Sequence, residues 1–191
     1  MTPKLGEGLR VLILPGWLDS DDGHWQSRWQ ALHGFERVQQ ADWTWPRRGD
    51  WMARLDEVLL ADDRSVVLVA HSLGCQLVAA WAAHSQHTTR VRAALLVAPP
   101  DTARADIPPQ LASWRHMVRQ RLPFTARVLY SEDDPYCEAH RARGMAADWG
   151  ASASGLGAIG HVNTQSGLGD WPAGLQWLQG LLQHGTSLER T

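Results

Sequence analysis

Short apolar runs rich in valine and leucine recur along this chain, and a stretch with helical spacing follows almost every one of them. Val11–Leu14, Ser65–Ala70, Val91–Val97 and Ala126–Tyr130 read as buried strands, with shorter candidates at Arg37–Gln40 and Ser152–Leu156. Such runs suit strands covered on both faces, and parallel neighbours need a crossover long enough to hold a helix. The spacing between them supplies those helices. Trp25, Trp29 and Leu32 fall on one helical face, and Asp50 can cap a helix with a Trp51, Leu55 and Leu59 stripe. Leu73, Leu77 and Trp81 mark a helix over Leu73–Ala83, and Ala142, Met145, Ala146 and Trp149 mark one over Glu138–Trp149, stopped by Gly150. Asp170, with Pro172 in the first turn, opens a last helix through Leu175, Leu178 and Leu182. The pattern predicts a single α/β domain: a parallel sheet of about six strands with helices on both faces. Its core is expected over about residues 10–183, with 1–9 and 184–191 as flexible tails. The one long connection, 99–123, has room for a single helix over Gln110–Arg119 and so for only a minimal cap.

Composition narrows the partners. A net charge of −2 and a pI near 6.5 give no reason to expect nucleic acid or an anionic membrane surface. The start lacks the apolar run of a signal peptide, and no stretch of 18 apolar residues occurs. Cys75 and Cys137 make neither a disulfide framework nor a metal-ligand pattern, so a cytoplasmic protein with reduced thiols is expected. Eleven tryptophans are many for 191 residues. Most are expected in the core, with one or two as aromatic walls of a ligand site.

The informative motif is Ala70-His71-Ser72-Leu73-Gly74, placed between the strongest strand and a helix. That is the context of a nucleophile elbow, a sharp turn that lifts a serine hydroxyl clear of the sheet. Small residues at 70 and 74 let helix and strand press together, and the Leu73 amide at the helix start can donate to a developing oxyanion. The usual elbow has glycine where this chain has Ala70, whose methyl disfavours positive φ.

An unassisted serine is a poor nucleophile, so a base and a group to orient it are required. In this strand–turn–helix context they follow in the order Ser, acid, His. The turn Ser131-Glu132-Asp133-Asp134-Pro135-Tyr136 directly follows the Ala126–Tyr130 strand and offers two acids, with Asp101 as a second choice. Either Asp133 or Asp134 could equally be a turn former. Gly160-His161-Val162-Asn163, in a loop after the last strand, offers the base. His71 reads as elbow scaffold beside Ser72 rather than as a catalyst. Metal or nucleotide chemistry has no support, because HExxH, paired CxxC and phosphate-loop patterns are missing, and no cofactor is expected.

Taken together, Pro15-Gly16-Trp17, His24-Trp25-Gln26 with Trp29, His71-Ser72-Leu73-Gly74-Cys75, Asp133-Asp134-Pro135-Tyr136 and Gly160-His161-Val162-Asn163 resemble one family. It is the small α/β-hydrolases of the retinoblastoma-binding protein 9 and YdeN type, and the similarity runs from about Val11 to Leu182. The resemblance implies a triad of Ser72, Asp134 and His161, Asp134 being the acid before proline. It implies strand order 2-1-3-4-5-6, which makes strands 1 and 3 neighbours where open α/β sheets bind ligands. The Trp17 amide then becomes the second oxyanion donor beside that of Leu73. Trp17, His71 and Trp114 are the side chains expected against the substrate, a small ester or amide. The rival is a binding module on the same scaffold, since fold does not guarantee activity. Pocket-protein binding through Leu-x-Cys-x-Glu would align with Leu73-Gly74-Cys75-Gln76-Leu77, where leucine replaces the glutamate.

Overall fold

The middle strand shows why the chain folds as it does. In β3 (Ser65–His71) every residue after the first is buried, and successive side chains enter different cores. Val66, Leu68 and Ala70 join one cluster, Val67 and Val69 the other, as the two-residue period of a strand demands. A strand buried on both faces cannot alternate apolar with polar, which explains its unbroken apolar run.

A computed structural model describes residues 8–185, so most of the expected tails lie outside the described residues, although Leu9 already belongs to the first strand. The elements follow as β1 (Leu9–Leu14), α1 (Trp25–His33), β2 (Glu36–Arg37), α2 (Arg48–Leu60), β3, α3 (Leu73–Ala82), β4 (Val91–Val97), β5 (Thr125–Tyr130), α4 (Ala139–Trp149), β6 (Ser152–Gly155) and α5 (Pro172–Gly185). All strand pairs are parallel, in the order β2-β1-β3-β4-β5-β6. One core carries the buried faces of α2, α3 and α4, and the other those of α1 and α5. Buried indoles fasten loops to this frame: the Nε1–H groups of Trp25, Trp29, Trp51, Trp114 and Trp149 each donate to a loop carbonyl. Burying an indole without such a partner would leave a costly unpaired donor.

Three local expectations are corrected. Leu32 does not share the buried face of α1 and is 54% exposed, because the helix ends at Gly34 and Phe35 packs against Trp29 instead. Asp50 is not the cap of α2: the helix starts at Arg48, and Asp50 lies in its first turn, where a carboxylate still suits the helix dipole. No α-helix forms over Gln110–Arg119; only Pro109–Trp114 makes a short 3-10 segment. The amides of this segment turn back at i−3, Leu111 to Pro108 O and Arg115 to Ala112 O, and Trp114 O, which an α-helix would bond to the Val118 amide, accepts from Thr102 Oγ1–H at 2.7 Å.

Candidate active site

The turn between β3 and α3 carries its strain on one residue. Ser72 sits at φ 53° and ψ −123°, a region that non-glycine residues rarely occupy, while its amide donates to Val97 O at 2.9 Å. Ala70 remains extended within β3, so alanine in place of the usual glycine adds a buried methyl and no conformational penalty. Position 74 is less tolerant. A Cβ on Gly74 would lie 2.3 Å from Leu14 O, because the first turn of α3 presses against the end of β1.

Ser72, Asp134 and His161 come together from three loops at the C-terminal edge of the sheet. His161 Nδ1–H donates to the Asp134 carboxylate, at 2.8 Å to Oδ2 and 3.0 Å to Oδ1. This fixes the tautomer with a lone pair on Nε2, which lies 2.9 Å from Ser72 Oγ and can accept its proton. The Asp134 side chain is 3% exposed and that of His161 9%, so their pairing is screened little by water. Tyr136 covers the imidazole edge-on at 4.6 Å, and its amide donates to Asp134 Oδ1.

The two alternative acids have other partners. Asp133 accepts from Gly160 N–H and Ser131 Oγ–H, and these bonds hold its carboxyl below the usual range. Asp101 is paired with Arg141, which lowers it likewise. Neither contacts His161.

A cavity of about 520 Å³ opens over Ser72. Trp17 and His71 both line it. Trp114 does not. Its ring is fully buried in the core, and its Nε1–H donates to Pro46 O, so it braces the connection from beneath. Ile107, Pro108 and Leu111 contribute to the apolar part of the wall, with Trp17, Leu18, Leu73, Pro100, Pro135 and Tyr136. The amides of Trp17 and Leu73 donate to no other group among the described residues, and both residues border the cavity. The Trp17 loop is tightly held: Leu18 and Asp19 both take positive φ, and Asp19 is paired with Arg37. Gln26, wholly buried in α1, donates to Leu14 O and Val69 O and accepts from Ser20 Oγ–H. Nothing in the sequence assigned Gln26 or His24 a role beyond membership of a motif.

His24 caps α1, its Nδ1 accepting from Gln26 N–H, and packs against His71 at 4.6 Å. Burial lowers His24 to about 4 and His71 well below the ordinary histidine value. The unfolded chain protonates these rings below about pH 6.5, whereas the folded chain resists. Stability is therefore complete above that pH and falls as the pH drops, by up to about 1.4 kcal/mol per pH unit for each ring. For His24 the loss runs down to about pH 4. His24→Asn keeps a capping acceptor and should give a shallower fall in melting temperature between pH 7 and 4. An unchanged slope would show that His24 does not carry this dependence.

The sequence model of the serine hydrolase family matches residues 11–180. The chain belongs to that family. A protein named a YdeN-like hydrolase, from Pectobacterium atrosepticum, is 26% identical to this serine hydrolase, with a TM-score of 0.83 over 94% of this chain and 93% of that one. The ydeN gene product of Bacillus subtilis shares the fold at 21% identity and TM-score 0.69, over 91% of this chain and 98% of that one. Carboxylesterase CesB, also from Bacillus subtilis, does so at 14% identity and TM-score 0.62, over 95% and 85%. No curated protein sequence matches the chain. The sheet of this serine hydrolase is accordingly that of an α/β-hydrolase, in the order the resemblance implied. Its Leu73–Leu77 string is buried in α3 throughout, which leaves it unable to present a linear motif to a partner. Among the described residues no helix is long and apolar enough to cross a membrane, and no three His, Cys, Asp or Glu side chains gather as metal ligands would.

Proposed function

We propose that this serine hydrolase cleaves small carboxylic esters or amides through an acyl-enzyme on Ser72. The observation that carries the reading is the unbroken hydrogen-bond chain from Asp134 through His161 to Ser72 Oγ. His161 Nε2 takes the serine proton as Oγ attacks the substrate carbonyl, and Asp134 stabilises the imidazolium that results. The Trp17 and Leu73 amides receive the oxyanion. His161 then gives the proton to the leaving alcohol or amine, and water attacks the acyl-enzyme by the same steps in reverse. Each part of this cycle is a side chain or amide of the chain itself, and no cofactor takes part.

A fluorophosphonate probe tests the reading, because it reacts with an activated serine and not merely with an accessible one. Mass spectrometry of the labelled protein should find the probe on Ser72 and nowhere else, with no labelling of Ser72→Ala. The hydroxyls of Ser27, Ser131 and Ser166 are already donated to backbone or carboxylate oxygens, and none has a histidine partner. Label on any of these three would sink the assignment.

A further inference from the structure

Two consecutive carbonyls of the loop that carries His161 are each held by a ring N–H from a different element. His71 Nε2–H, at the end of β3, donates to His161 O at 2.9 Å. Trp25 Nε1–H, in the first turn of α1, donates to Val162 O at 2.8 Å. Between these two bonds Val162, wholly buried, takes a φ of 51°. A β-branched residue adopts that conformation only where its surroundings impose it. The preceding amide is fixed as well, Gly160 N–H donating to Asp133 at 2.7 Å.

We infer that Trp25 and His71 are positioning residues for the base: by fixing both carbonyls they hold the strained turn that keeps the His161 imidazole between Asp134 and Ser72. The inference rests on the triad reading proposed above. The two donors are themselves held. The Trp25 ring meets His71 edge-on at 6.1 Å and packs against Trp29 at 4.8 Å and Trp171 at 4.9 Å, so the indole has no room to turn away. His71 is enclosed by His24 at 4.6 Å and by His161 itself at 4.9 Å. The bond needs a proton on Nε2, and since burial favours the neutral ring, His71 is held as the Nε2–H tautomer. A lost clamp would let the loop relax toward ordinary backbone, and a shift of about 1 Å in a reacting group can cost about a hundredfold in rate.

Trp29 provides a matched control. It is as buried as Trp25, lies one turn along the same helix, and also donates its indole N–H to a carbonyl at 2.8 Å, but that carbonyl belongs to Asp170, outside the site. The experiment compares Trp25→Phe, Trp29→Phe, His71→Leu and His71→Gln, with active sites titrated by fluorophosphonate and p-nitrophenyl acetate as substrate. Trp25→Phe and His71→Leu should lower kcat per titrated site about tenfold with KM within about twofold, the mark of a group that acts on the transition state rather than on binding. His71→Gln, which retains a side-chain N–H, should recover part of the loss. Trp29→Phe should lose melting temperature as Trp25→Phe does and keep its kcat. If His71→Leu does not fold, the two tryptophan variants decide. A kcat in Trp25→Phe equal to that in Trp29→Phe, with wild type labelled at Ser72, overturns the clamp alone. A wild-type chain that takes no label at Ser72 overturns the triad reading and the clamp with it.

Discussion

Asp134→Asn is expected to lower kcat by about four orders of magnitude, the loss that follows when the orienting acid of a serine triad becomes an amide. The geometry gives the reason. Both carboxylate oxygens of Asp134 face His161 Nδ1, at 2.8 and 3.0 Å, and only an acceptor there keeps the proton on Nδ1. An asparagine can turn its NH₂ toward Nδ1, which shifts the ring proton to Nε2. Nε2 then meets Ser72 as a donor and cannot take its proton. Asp133→Asn removes part of a loop-fixing pair of bonds, and Asp101→Asn breaks a salt bridge with Arg141; neither alters the tautomer of His161. Each of those two is expected to cost less than about tenfold. Turnover of p-nitrophenyl acetate by the three variants checks the ranking. Equal, modest losses in all three would mean that the acid has been misidentified.

What was legible in the sequence depended on how local its cause is. The β4 strand is found over Val91–Val97, the residues its apolar run marked, because burial on both faces leaves little choice of side chain. The elbow was legible for a similar reason: a strand, one serine and a small residue must follow within a few positions. Trp114 was misplaced because an indole is apolar enough for a core and polar enough for a pocket wall, and only the distant Pro46 carbonyl decides between them. Gln110–Arg119 failed as a helix for a comparable reason: its path follows bonds to Thr102, Arg48 and Trp149, which lie outside the segment, rather than its local spacing. The contacts of Trp25 and His71 with the base loop span 137 and 90 residues, so no pattern of spacing could announce them. Within the motifs, residue types pointed to the chemistry; the supports of that chemistry became visible only when the sheet brought its loops together.

The acyl preference gives the second large effect. If the cavity continued as an apolar tunnel, each added methylene would gain up to about 0.8 kcal/mol, so four of them from butyrate to octanoate would raise kcat/KM about two hundredfold. The walls do not support such a gain. The apolar lining of Trp17, Leu18, Leu73, Pro100, Ile107, Pro108, Leu111, Pro135 and Tyr136 is interrupted by charged groups, because the same cavity is lined by Asp19, Asp21, Asp101, Arg104 and Asp106. About 520 Å³ must also hold the leaving group. A chain longer than a few carbons therefore leaves the apolar wall and meets charged groups, which lose hydration when a methylene lies against them. The connection that could have closed over it contributes only one short 3-10 segment, Pro109–Trp114, whose tryptophan is turned into the core. For p-nitrophenyl esters, kept below any micelle-forming concentration, kcat/KM is expected to peak between acetate and butyrate and to fall steeply by octanoate. A rise through octanoate to dodecanoate would show that longer chains find apolar cover along a path these walls do not provide, and the short-acyl assignment would have to be abandoned while the triad stood.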